Sequence, residues 1–436
     1  MFTLFVCETC AKDNESDLIN KVEDLLISFS REVYCDGQAK RGSSIMETNQ
    51  LDDMASLDVA ILGGSIAGLL AGRELAEEGL DVSVFEEHRE IGIPEKCDGL
   101  VSAAGISRLG VVPPSNVIQN TLKKAVFFSP SLREISIDAN KQNVIVMDRS
   151  KFDKFLAERA AKAGAKIHVG CRISQYSKSG SRIFLKIESE SRPCKILLDC
   201  GGYESYISAG GRALQGGQYL VCGNWFEKSS VEVYIDPDKY PGFFKWVIPI
   251  SSDVAKIGVA GDGINTFQLL DKFAKEKDAQ VLRKMAAPVL CFGTLKSFVK
   301  GRIVKAGDAA GQAKPTTGGG IFTGGLGGIL AGKAATNAIK ANNLNILSSY
   351  EDEWRNQFGR EFSLQGRARS FFSKLKADQV DRLFEMVASS EIPKRISEEA
   401  DFDSHSIAIA KAFGLANIVS TFGMFFADEL KELIGR

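Results

Sequence analysis

The segment Gly63-Gly64-Ser65-Ile66-Ala67-Gly68 joins two stretches of different periodicity, and it restricts the fold more than any other feature of the chain. Before it, Asp58 to Leu62 reads DVAIL, a short apolar run bounded by glycine, as a buried strand is. After it, Ala67 to Glu78 reads AGLLAGRELAEE, apolar at helical spacing and closed by Gly79. Asp81 to Glu86, DVSVFE, predicts a second strand. Strand, glycine turn, helix and strand predict the head of a Rossmann-like unit. The turn follows G-x-G-x-x-G with Ser65 in place of the second glycine. Gly63 allows the tight turn, Gly68 lets the helix approach the strand, and the helix N-terminus faces a pyrophosphate. Ser65 is small, and its hydroxyl can itself donate to a phosphate. Glu86 ends the second strand about twenty residues on, where an acid accepts from ribose hydroxyls and disfavours a 2′-phosphate. Together these residues point to an adenine dinucleotide.

A second glycine cluster lies far downstream. Ile303 to Ala306 predicts a strand, and it runs into GDAAGQAKPTTGGGI, Gly307 to Ile321. A strand ending in Gly307-Asp308, long after a dinucleotide turn, is where a flavoprotein closes over the second half of FAD. Asp308 is placed to hydrogen-bond the ribityl chain. Gly318, Gly319 and Gly320 bring backbone N–H groups, and the start of a helix over Gly325 to Lys340, toward the isoalloxazine and pyrophosphate. A bulky side chain here is expected to collide with the ring. FAD is therefore the expected cofactor.

Between these clusters the chain changes character. Phe152 to Ala163 predicts a helix, capped by Ser150 and closed by Gly164, and Lys166 to Val169 a strand. Ile183 to Ile187 and Cys194 to Leu198 alternate as a hairpin does. Ala213 to Gly263 is aromatic and strand-like, an antiparallel sheet inserted into the α/β scaffold. Phe267 to Ala287 predicts a return to helix, and the chain from Ser348 onward reads as mostly helical. The expected fold is α/β, mixed with α+β: a Rossmann-like FAD-binding domain, an inserted antiparallel-sheet substrate domain and a helical C-terminal region. The boundaries are an extension over 1–56, a discontinuous FAD-binding domain over 57–205 and 295–345, a substrate-binding sheet over 206–294, and helices over 346–436.

The extension holds a predicted helix, Asp17 to Phe29, flanked by Cys7, Cys10 and Cys35, without a fourth metal ligand. It reads as a poorly ordered extension, or as sequence ahead of a natural start at Met54. No metal site is expected. Nine cysteines, an odd number without regular spacing, suggest a reducing cytoplasm, and the first residues lack the basic and apolar regions of a signal peptide. A net charge of -1 gives no electrostatic reason to expect nucleic acid. Ile407 to Ala427 is apolar but interrupted by Lys411 and Asn417, which favours a membrane-surface or buried helix over a span.

With both flavin clusters placed, the chain resembles the geranylgeranyl reductases, a group within the p-hydroxybenzoate-hydroxylase-like flavoproteins. The resemblance runs from about Leu57 to near the C-terminus. It is carried by GDAAG followed by P-x-x-GGGI, by Ile93 to Ser102 (IPEKCDGLVS, similar to the family's cysteine-glycine loop), by Asp148 to Asp153, and by Tyr350 to Phe384. It implies FAD contacts at Ala67, Glu86, Cys97, Asp98, Gly99, Arg149, Ile173, Asp308, Gly320 and Ile321, alongside Gly63, Ser65, Gly68 and Gly319. Arg149 suits a pyrophosphate or ribose. The family's Y-x-W-x-F-P is Phe244-Lys245-Trp246-Val247-Ile248-Pro249 here, and Asp199-Cys200-Gly201-Gly202 stands where its D-G motif belongs.

The resemblance implies reduction of isolated C=C bonds in geranylgeranyl chains of membrane lipids or their precursors. An isolated alkene offers no carbonyl to hold charge, so catalysis rests on holding the chain against the flavin in a dry site. Phe243, Phe244, Trp246, Ile248 and Pro249 are the expected substrate wall, and Cys97 the candidate catalytic residue beside the ring. The expected partners are the isoprenoid lipid, a membrane surface on the cytoplasmic side, and an external electron donor: ferredoxin, NAD(P)H or a deazaflavin. Trp246-x-Ile248-Pro249 also resembles a motif of flavin-dependent halogenases, so a monooxygenase or halogenase is the second reading. A flavin electron carrier is the third.

Overall fold

The computed structural model describes residues 56–399 and 402–404. Cys7, Cys10, Cys35, the Asp17 to Phe29 helix and the Ile407 to Ala427 segment lie outside the described residues.

Leu57–Leu62 is the central strand of an eight-stranded sheet. It runs parallel to Val82–Glu86 on one side and Glu190–Asp199 on the other, with Val59 opposite Val82 and Leu62 opposite Asp199. Lys166–Val169 extends the sheet beyond Val82–Glu86, and Ile303–Lys305 extends it beyond Glu190–Asp199. Strands buried on both faces need cover on both. Ile66–Glu77, Arg149–Ala163 and Ile321–Lys340 cover one face and form the largest core cluster with Val59, Ile61, Val84, Ile196 and Leu198, while Ile183, Leu185 and Ile187 cover Ala60, Phe85 and Leu197 on the other. The hairpin reading holds: Ile183 pairs antiparallel with Cys194.

The Ile321–Lys340 helix begins four residues before the expected Gly325, with Gly320 as its N-cap. Gly324 and Gly325 disfavour helix in isolation, but tertiary packing outweighs that cost. A Cβ on Gly328 would stand 2.1 Å from the carbonyl oxygen of Ala67, and one on Gly324 3.1 Å from Cα of Gly307. Only glycines let this helix lie against Ile66–Glu77. Gly328→Val should therefore destabilise the protein by about 3 kcal/mol or more, read as a lowered midpoint in urea unfolding.

A second sheet has seven strands, and the inserted region forms most of it: Gln215–Cys222, Ser230–Tyr234, Lys245–Pro249 and Val254–Gly261. Two features differ from expectation. Lys124–Phe128 and Glu134–Asp138, from far earlier in the chain, complete one side, and Ser230–Tyr234 pairs with Lys124–Phe128 in parallel, so the sheet is antiparallel at all but one pairing. The expected helix over Phe267 to Ala287 ends at Glu276, Asp278 turns the chain at φ +50°, and Gln280–Ala286 becomes an edge strand. Alternating burial along QVLRKMA fits a strand, and pairing with Gln215–Cys222 decides it. The helix expected from Phe152 starts at Arg149, because Asp148 rather than Ser150 is its cap, accepting from the N–H of Lys151. Beyond Ser348 the chain is helical as expected, in Ser348–Phe372, Ala377–Ala388 and Ile392–Glu399.

Candidate functional site

The carboxyl ends of the central parallel strands open onto a cavity of about 1750 Å³, which continues across the face of the second sheet. Ligands of open α/β sheets bind at that end. A single drug-sized ligand occupies roughly 300–1,000 Å³, so there is room for two.

On one wall, Gly63 takes φ +96°, and a Cβ there would stand 2.4 Å from the carbonyl oxygen of Cys200. A Cβ on Gly68 would stand 2.0 Å from the Gly63 carbonyl oxygen. Both glycines thus meet the close approach that the turn requires. Ser65 caps the first helix, but its hydroxyl makes no capping bond and remains exposed on the cavity wall. Glu86 accepts from the N–H of Gly64 at 2.8 Å and of His88 at 3.0 Å. Ile173 lies on the same wall. Ala67 and Gly68 are not on it: Ala67 sits beneath, against Gly328 of the other helix, and Gly68 packs on the turn at Gly63 and on Ile61.

Opposite, Asp308, Gly319, Gly320 and Ile321 form one rim at the amino end of Ile321–Lys340. A Cβ on Gly320 would lie 3.1 Å from Oδ1 of Asp308. Asp308 opens to the cavity yet is enclosed by protein, so burial raises its pKa, while Arg149 pulls it back. Gly318, at φ +68°, leaves room for Val289, and Gly319 for Lys314. The glycine run therefore excludes side chains for the protein's own packing as well as for a ligand.

Arg149 begins its helix on the cavity wall. Its Nη2 donates to both carboxylate oxygens of Asp153, at 3.0 and 3.2 Å. Burial opposes its charge, but Asp153 and Cys97 hold the guanidinium above its ordinary range. Burial also pushes Asp153 up against the pull of Arg149, so the pair gains less than an exposed one would. The Nε of Arg149 is buried without a hydrogen-bond partner. A buried cation with an unused donor beside a glycine cradle fits an anionic, polar ligand such as a dinucleotide.

The cysteine loop is held from the second sheet. Lys256, only 1% exposed, donates to Oε1 of Glu95 at 3.0 Å and to the carbonyls of Cys97 and Asp98 at 3.3 and 3.0 Å. Arg283 donates to Oε2 of Glu95 at 2.8 Å. Burial pushes the Glu95 carboxyl up, but Lys256 and Arg283 outweigh it and hold the pKa below its ordinary value. Cys97 Sγ accepts from the N–H of Gly99 at 3.4 Å, and Gly99, at φ +80°, passes against the backbone of Met147. Sequence reading missed Lys256 and Glu95. The available signal was a lysine inside the apolar strand AKIGVAG, a charge that has to find a partner.

Phe243 and Phe244 stack at 4.1 Å, and Trp246 meets both edge-on at 6.2 and 5.9 Å. These three and Ile248 line the cavity. Pro249 does not; its carbonyl accepts from Asn120 Nδ2 at 2.9 Å behind the wall. The wall also includes Phe127, Ile135 and Ile137 from the early strands, Phe384 and Val387 from Ala377–Ala388, and Phe402. None of these was named as substrate wall from sequence: Phe384 ends the Tyr350 to Phe384 segment, and the others lie outside the motifs. Phe402 is tied down by Lys314 Nζ, which donates to its carbonyl at 2.9 Å, and Asp403 accepts from Ser102 Oγ at 2.6 Å. In the altered D-G segment, Asp199 accepts from Ser205 Oγ at 2.6 Å and pairs with Lys305, joining two strands beside the cavity.

The family description NAD(P)-binding Rossmann-like domain matches residues 61–94, the dinucleotide turn. The digeranylgeranylglycerophospholipid reductase of Methanosarcina mazei is 30% identical over 356 residues, covering 75% of this chain and 87% of that protein. The chain belongs to the digeranylgeranylglycerophospholipid reductase family. A geranylgeranyl bacteriochlorophyll reductase-like protein from Thermoplasma acidophilum superposes with a TM-score of 0.75 at 24% identity, covering 87% of this chain and 98% of that one. The flavin-dependent brominase Bmp2 superposes at 0.60 with 17% identity, covering 79% and 93%. These two likenesses speak to the fold, which this reductase family shares with flavin-dependent halogenases. The mixed α/β architecture with a Rossmann-like core agrees with the fold expected from sequence.

Proposed function

We propose that this chain uses FAD to saturate C=C bonds in geranylgeranyl chains of glycerophospholipids or their precursors. The observation that carries the reading is a single cavity that joins a dinucleotide cradle to an apolar, aromatic lobe. Bound in its reduced form, FAD supplies the hydride equivalent. Ser65, Glu86 and Arg149 hold its polar parts, Asp308 its ribityl chain, and the Gly319 to Ile321 amides its ring. Residues 57–205 and 295–345 act as the cofactor domain. Residues 206–294, joined by the early strands, shape the lipid lobe, and the described helices from Ser348 onward close it. Trp246, Phe243, Phe244 and Ile248 exclude water and keep an isoprenoid chain extended. Cys97 is held beside Arg149 at the junction of the two lobes.

One dinucleotide turn serves one cofactor, so electrons come from an external donor: ferredoxin, NAD(P)H or a deazaflavin. At ~0.8 kcal/mol per CH₂, exposing a geranylgeranyl chain to water costs on the order of 15 kcal/mol. That cost favours direct transfer from a membrane surface on the cytoplasmic side. No helix among the described residues is long and apolar enough to cross a membrane.

The test is anaerobic. The FAD-loaded protein, reduced with dithionite, is mixed with a geranylgeranyl glycerophospholipid, and flavin absorbance and lipid mass are followed together. Flavin reoxidation with the lipid gaining hydrogen is the expected result. Reduced flavin that ignores the lipid but reacts rapidly with O₂ would move the assignment to a monooxygenase or halogenase.

A further inference from the structure

We infer that Asp98 is the acid that delivers the proton to the alkene, an assignment that rests on the reductase function proposed above. Asp98 lines the cavity between Cys97 and Gly99, and its Oδ1 is buried without a hydrogen-bond partner. Trp246, its neighbour on the substrate wall, interacts with the Asp98 carboxyl through a buried indole N–H that falls short of hydrogen-bond geometry. Two unsatisfied polar groups beside an aromatic, apolar lobe mark the place where this wall departs from simple hydrophobic packing.

Among the other acids of the cavity wall, Asp308 stands at the cofactor rim beside Gly320, and Asp153 is paired with Arg149. Glu95 is bound by Lys256 and Arg283, and Asp403 accepts from Ser102. His88 pairs with Glu86 on the dinucleotide side, and Cys97 Sγ faces the Gly99 N–H. Burial pushes Asp98 up to about 6, with the charge of Glu95 adding to the rise and Lys256 and the Trp246 indole opposing it. Lys256 binds the Asp98 main-chain carbonyl, so the loop is fixed while the carboxyl keeps an oxygen unpaired. A carboxylic acid poised near neutrality in a dry site is suited to general-acid work.

The step balances. The Asp98 O–H bond breaks, and its proton joins the less substituted alkene carbon, drawing in the π electron pair. The more substituted carbon takes the hydride equivalent from the reduced flavin. The alkene gains two hydrogens, the flavin loses two electrons, and the Asp98 carboxylate regains a proton from water. Positive charge that builds on the more substituted carbon is eased by the π systems of Phe243, Phe244 and Trp246.

The experiment compares full-length, FAD-loaded wild type with Asp98→Asn, Asp98→Glu and Cys97→Ser. Readouts are anaerobic reoxidation of reduced flavin by a geranylgeranyl glycerophospholipid, FAD affinity and lipid affinity. Asp98→Asn should lose about 100-fold or more in reoxidation rate, with both affinities within about threefold of wild type. Asp98→Glu should restore part of the rate, and the wild-type rate should fall as pH rises through about 6. Three results overturn the assignment while leaving the reductase function standing: an Asn variant as fast as wild type, an Asn variant that loses FAD, or a full rate loss in Cys97→Ser alone. Wild type that never reduces the lipid overturns both.

Discussion

Arg149→Met should weaken FAD binding by about 100-fold and lower stability by about 3–5 kcal/mol. The two losses have separate causes. The guanidinium brings a buried charge and an unused Nε donor to the cavity wall, and a charge-assisted bond to a phosphate or ribose is lost with it. The stability loss comes from Asp153, which is 7% exposed and would be left without its cation. Titration of the apoprotein with FAD reads the first loss, and urea unfolding the second. The double variant Arg149→Met/Asp153→Leu separates them: replacing both partners with apolar groups should restore most of the stability, while FAD affinity stays low. Full FAD affinity in the double variant would remove Arg149 from the cofactor site.

Lys256→Met should cost a comparable 3–5 kcal/mol or so and uncouple the cysteine loop from the sheet. Methionine fills the space but cannot replace the three bonds that Lys256 makes to Glu95, Cys97 and Asp98. Glu95 would keep only Arg283 and the main chain of Arg149. Amide hydrogen exchange over Ile93 to Gly99 should rise, and lipid-driven flavin reoxidation should fall even where FAD is still bound. The stability difference has a defined pH dependence. The folded-state pKa of Glu95 lies below its ordinary 4.5, so the stabilisation is complete above about 4.5 and is lost as pH falls through the lower folded value. The gap between wild type and variant should narrow in acid, leaving the part due to the Cys97 and Asp98 carbonyls. A gap that persists unchanged there would show that the pairing with Glu95 contributes nothing.

The two predictions differ in how far sequence reading reached them. Arg149 was named through resemblance, since on its own an arginine near a helix start reads as a surface residue. Lys256 was not named at all. Its partners all come from the Ile93 to Gly99 loop, and Glu95 there is held in turn by Arg283 of the Gln280–Ala286 strand, which the sequence reads as helix. The lipid lobe was similarly half visible. Phe243, Phe244 and Trp246 sit in one short segment, whereas Phe127, Ile135 and Phe384 reach the same cavity from distant parts of the chain.

What the sequence by itself determined was local. A strand, a φ-positive glycine, a close-packed second glycine and a terminal acid are fixed by sterics within a few residues. Gly63, Gly68 and Glu86 accordingly stand where the pattern put them, as does Asp308 beside Gly320. Even there, the sequence did not separate glycines that face a ligand from those that admit a neighbouring helix, as Gly328 and Gly332 do. The tertiary structure alone decided which strands join the second sheet, where the glycine helix begins, and which buried charges meet. Those outcomes depend on contacts between segments more than a hundred residues apart. Their free energy appears only once the chain has closed on itself, so no local periodicity carries it.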